Sequence, residues 1–66
     1  MPQHQEVSEL LPEPRRKEIF LALVETQDRR VGVARSRQLV ASQFGVSVDQ
    51  IRMIEQEGLD HEWPPL

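Results

Sequence analysis

Ser47, Val48, Asp49, Arg52, Met53 and Gln56 recur at spacings that gather them on one side of an α-helix, where residues three and four apart are neighbours. Their types suit the edges of base pairs. Arginine bonds guanine and glutamine bonds adenine, aspartate accepts from cytosine, serine is versatile, and valine or methionine can touch a thymine methyl. Upstream stand Arg29, Arg30, Arg35 and Arg37, whose guanidiniums suit phosphate oxygens, the contacts that position a protein on a duplex. The chemistry these residues offer is non-covalent recognition of double-stranded DNA. Bond-making chemistry is not legible. The chain has no cysteine, and His4 and His61 have no partner at metal-ligand spacing. Glu55 and Glu57 are too close in sequence to share a helix face, and no activated nucleophile, phosphate loop or cofactor motif appears. The expectation is a protein that is not an enzyme and needs no metal or cofactor.

Such readers need a frame, and residues 37–56 supply one. They fit the twenty-residue helix-turn-helix pattern at its diagnostic places: Val40 apolar at the fourth, Ala41 small at the fifth, and Phe44 at the eighth. Gly45 takes the turn, Val46 is the buried turn residue, and Ile51 and Ile54 bury the second helix. A larger side chain at 41 would push the two helices apart, and a β-carbon at 45 would hinder the turn.

The stretch VASQFGVSVDQIRMIEQEGL resembles the helix-turn-helix in region four of bacterial primary sigma factors, where a similar line reads the upstream promoter element. Gln43, Phe44, Val46, Ser47, Ile51, Arg52, Ile54, Glu55 and Leu59 carry the likeness. Val48 and Met53 stand where that family carries polar readers. The resemblance covers about twenty of 66 residues and implies a bacterial, transcription-associated protein whose reading element is the helix over 47–57.

The elements that position this frame make an all-α, three-helix domain over 14–59, between a flexible tail (1–13) and a C-terminal tail (60–66). Pro14 suits the first turn of a helix, where its missing N–H costs nothing. Ile19, Phe20, Leu23 and Val24 then form one stripe on a 3.6-residue period. The second helix spans 33–44, with Leu39, Val40 and Phe44 expected inside. Ser47 caps the third helix, with Gln50 placed to complete a capping box. Gly58 is expected to end it, with Leu59 making the hydrophobic contact of a Schellman end. Pro64 and Pro65 forbid helix beyond that, and Trp63 with Leu66 is expected to fold back on the core, tryptophan burial contributing about 3 kcal/mol.

Charge is uneven. Residues 15–37 hold seven bases against three acids, a net of +4, whereas residues 38–66 hold Arg52 against five acids, a net of −4. Arg15, Arg16 and Lys17 open the first helix, the end where the helix dipole favours acids, which hints at a role outside folding. Three or four phosphate contacts are expected, which is the footing of a weak monomeric binder. A homodimer would double them and enlarge a core that is small, since a chain of 66 residues buries only about 60% of its unfolded surface. The acidic second half supports an alternative: a protein-interaction module on the same scaffold that associates with the transcription machinery without touching DNA. No apolar run approaches a membrane span and no signal peptide is evident, so a soluble cytoplasmic protein is expected.

Overall fold

The computed structural model describes residues 11–66. They form three helices and, among the described residues, no strand: α1 (Glu13–Asp28), α2 (Val33–Phe44) and α3 (Val48–His61), each packed on the other two. The expected all-α, three-helix architecture is present. Most of the expected 1–13 tail lies outside the described residues. Of its last positions, Glu13 already belongs to α1 and Leu11 packs, half-buried, against the core.

Pro12 enters α1 in an extended conformation, and its carbonyl accepts from the N–H groups of Arg15 and Arg16, both at 3.0 Å. The period then turns Ile19, Phe20 and Leu23 fully inward, with Val24 at the margin. α2 follows Gly32 at its N-cap and buries Ser36, Val40 and Ala41. Leu39 is not the core residue its type suggests. It is 43% exposed, because one residue turns the chain about 100° away from Val40. Ser36 occupies the inner position instead, one turn before Val40. A serine is tolerated there because its hydroxyl donates to the Val33 carbonyl at 2.7 Å and accepts from Gln27.

The helix-turn-helix closes as its residues require. Gly45 takes the left-handed conformation (φ 71°), and the N–H groups of Gly45 and Val46 both donate to the Ala41 carbonyl. Ser47 caps α3 through a complete capping box: its Oγ accepts from the Gln50 N–H at 3.1 Å, while its own N–H donates to Gln50 Oε1 at 2.8 Å. Ile51 and Ile54 face inward.

Gly58 does not end α3. It lies buried inside the helix against the Phe20 ring, and a β-carbon there would overlap Phe20 Cδ1 and Cε1. The missing side chain allows α1 and α3 to approach, which outweighs the roughly 1 kcal/mol that glycine costs a helix interior. α3 continues to His61 and stops at Glu62, a non-glycine residue in the left-handed region (φ 53°). The N–H groups of Glu62 and Trp63 return to the Gly58 carbonyl, the arrangement seen at Gly45. The hydrophobic contact of this end is made by Trp63, not by Leu59, which is half exposed. Trp63 meets Phe20 edge-on at 6.1 Å, stacks beside His61, and lies under the Lys17 ammonium at 5.7 Å. Leu66 stays exposed and does not join it. No helix among the described residues is long and apolar enough to cross a membrane.

Candidate nucleic-acid interface

With Ile51, Ile54 and Gly58 inward, helical period sends Ser47, Val48, Asp49, Arg52, Met53 and Gln56 outward, and all six are exposed. The structure therefore brings the sequence-nominated base readers together on one surface. They differ in readiness. Ser47 Oγ is engaged in the cap, although its hydroxyl hydrogen remains a donor. Gln56 donates to Asp60 Oδ1 at 3.0 Å along the helix. Arg52 has no acid partner among the described residues.

Two acids beside this surface are answered from the neighbouring helices. Glu57 meets Arg16 of α1 in a two-pronged pair, Nε to Oε1 and Nη2 to Oε2, both 2.9 Å. Arg16 also donates from Nη1 to the Leu11 carbonyl at 2.6 Å, which holds the entry to α1 in place. Glu55 accepts on Oε1 from Nε and Nη2 of Arg37 on α2, both 2.9 Å. Its other oxygen receives the Gln27 amide at 3.4 Å, and that amide also reaches the buried Ser36 hydroxyl at 3.2 Å. The net −4 of residues 38–66 is thus not the charge of the outward side of α3. That side carries Arg52 against Asp49 and Asp60, with Glu55 and Glu57 offset.

The same pairs reduce the supply of cations. Arg37, nominated for phosphate, is committed to Glu55. Arg35 is two residues earlier, about 200° around the α2 axis from Arg37, so it projects away from α3 rather than beside Arg52. Arg29 and Arg30 are exposed in the turn between α1 and α2, Arg30 in the left-handed conformation (φ 68°). Neither they nor Arg35 has an acid partner among the described residues. In α1, Arg15 pairs with Glu18 and lies 4.8 Å above the Phe44 ring, while Lys17 pairs with Glu13. The basic start of α1 is therefore explained within the fold, at Arg16 above all.

Sequence reasoning missed Gln27, Ser36 and the pairing of Glu55 and Glu57. No local signal marks these contacts, because each joins residues brought together only by the helix crossings. Among the described residues no cluster of histidine, aspartate and glutamate could hold a metal. Comparison with protein-family models, with curated proteins and with solved structures gave no match.

Proposed function

We propose that the chain is a small transcription-associated protein that binds duplex DNA weakly, with α3 presented to base edges. One observation carries this reading. The six nominated readers share the exposed side of a capped helix within a helix-turn-helix, and Arg52 at their centre has no acid partner among the described residues. With Arg35 turned away from α3 and Arg37 engaged, Arg29 and Arg30 are the cations offered to phosphates. Two such contacts correspond to a slope of about −1.8 in log affinity against log salt, at about 0.9 per phosphate. The test is fluorescence anisotropy of the full chain with a labelled random duplex at low and moderate salt. Binding that falls with about that slope supports the reading. No binding at low salt by a folded sample refutes it. Arg52→Ala should weaken a selected site by about 1–3 kcal/mol and relax preference at one base pair.

A second reading, a protein-interaction module, is favoured by the exposed apolar residues of α3: Val48, Met53 and Leu59. Charge-depleted apolar positions of this kind are what the centre of a protein interface uses. Under that reading Met53→Asp abolishes partner binding, and duplex DNA gives no signal at any salt.

A further inference from the structure

We propose that Glu55 sets the specificity of duplex binding by withholding Arg37 from phosphates. This rests on the duplex-binding reading above. Affinity for any duplex comes from phosphate contacts, whereas preference among duplexes comes from base contacts. Arg37 occupies the first place of the helix-turn-helix pattern, on the helix that crosses the sugar–phosphate backbone in such proteins. Its side chain is 28% exposed, against 17% for Glu55, so of the two it is the one more open to solvent. Both of its engaged nitrogens nevertheless point at one oxygen of Glu55, at 2.9 Å. Glu55 in turn is held from behind by Gln27, whose amide is anchored on the buried Ser36. The acid is the fixed member of this pair and the arginine is the one restrained. On the other flank of α3 the roles are reversed: Arg16 is less exposed than Glu57 (19% against 31%) and also donates to the Leu11 carbonyl, so that arginine belongs to the frame. With these guanidiniums occupied, Arg52 supplies a larger share of the binding energy than it would on a fully basic surface.

A pair that served only as a strut predicts the opposite sign when it is weakened, and this makes the proposal testable. Glu55→Gln puts an amide of the same shape in place of the carboxylate and removes the charge that holds Arg37. By anisotropy with a random 20-base-pair duplex, the variant should bind more tightly than wild type. Its salt slope should steepen by about 0.9 for the one phosphate gained. The ratio of variant to wild-type affinity should then fall about 3.5-fold between 50 and 200 mM salt. The ratio of affinity for a duplex selected with wild-type protein over the random duplex should shrink. Adding Arg37→Gln to Glu55→Gln should restore the wild-type slope, which separates the freed arginine from the mere loss of a negative charge. Arg37→Gln alone should leave the slope unchanged. A slope reduced by about 0.9 in that single variant would mean that Arg37 already holds a phosphate, and would overturn the proposal. So would a folded Glu55→Gln protein that binds no more tightly than wild type. If Glu55→Gln fails to fold, Glu55→Asp, which draws the carboxylate back from Arg37 by one methylene, should tighten binding and steepen the slope in the same direction, and a folded Glu55→Asp protein with wild-type affinity and slope would overturn the proposal. Wild-type protein that binds no duplex at low salt instead removes the reading on which the proposal rests.

Discussion

Replacing Gly58 by alanine adds one methyl group where α1 and α3 cross. The new carbon would stand 2.6 Å from Phe20 Cγ and closer still to Cδ1 and Cε1. Carbon atoms in contact prefer about 3.5–4.0 Å, so the ring or a helix must move by roughly 1 Å. Phe20 has no exposed surface, and Trp63 is packed edge-on against it, so the ring cannot swing aside without disturbing a second large side chain. Overpacking of this kind costs about 1–3 kcal/mol, and the severity of the overlap points to the upper end. Alanine returns about 1 kcal/mol through its better helix propensity. The net loss is about 1–2 kcal/mol, which in a domain of this size lowers the melting temperature by roughly 5–15 °C. Circular dichroism at 222 nm measures it, with Trp63 fluorescence as a local reporter. Gly32→Ala is the control, since nothing lies within 4 Å of its added carbon and its φ is −57°. It should leave stability unchanged or raise it by up to about 1 kcal/mol. A Gly58→Ala protein that melts at or above the wild-type temperature would refute the close-approach argument.

Three further outcomes are expected. Trp63→Ala should cost about 3–5 kcal/mol, comparable with the whole stability of a chain this short, so its thermal transition should lose cooperativity or vanish by circular dichroism. Ser47→Ala removes the acceptor of the α3 cap and should cost about 1 kcal/mol, seen as a lower urea midpoint with an unchanged slope. Glu62→Gly relieves a left-handed conformation that costs a residue with a β-carbon about 1–2 kcal/mol, offset by the greater freedom of glycine in the unfolded chain. A gain of about 0.5 kcal/mol should appear as a raised urea midpoint.

What could be read in advance was what a single turn of chain decides. Gly45, Ser47, Ile51 and Ile54 act through neighbours three to five residues away, and each sits where its type requires. The grouping of the six outward residues of α3 follows from the same short-range period. Gly58 and Glu62 exchanged roles for a reason no local pattern contains. The space beside Gly58 is filled by Phe20, from another helix, and Trp63 gains enough burial to hold Glu62 in a conformation its type disfavours. Leu39 was misplaced because three neighbouring apolar types in α2 left the centre of its inner side ambiguous by one residue, and Ser36 was missed because its type does not mark it as a core residue. The readiness of each arginine was equally hidden. Arg16 and Arg37 meet acids 41 and 18 positions later, and only the assembled crossings show that these two are engaged while Arg35 is not.

The two ion pairs of α3 also govern how far that helix can roll about its own axis. Glu55 and Glu57 leave it about 200° apart, one tied to α2 and the other to α1, so a roll in either direction stretches one tie as it slackens the other. An atom about 6 Å from a helix axis travels about 2 Å in a roll of 20°, several times the tolerance of a hydrogen bond. Stays on opposite flanks therefore fix the direction in which the Arg52 side chain leaves the helix. For a single helix carried by a core this small, angular steadiness of that kind has to come from its flanks.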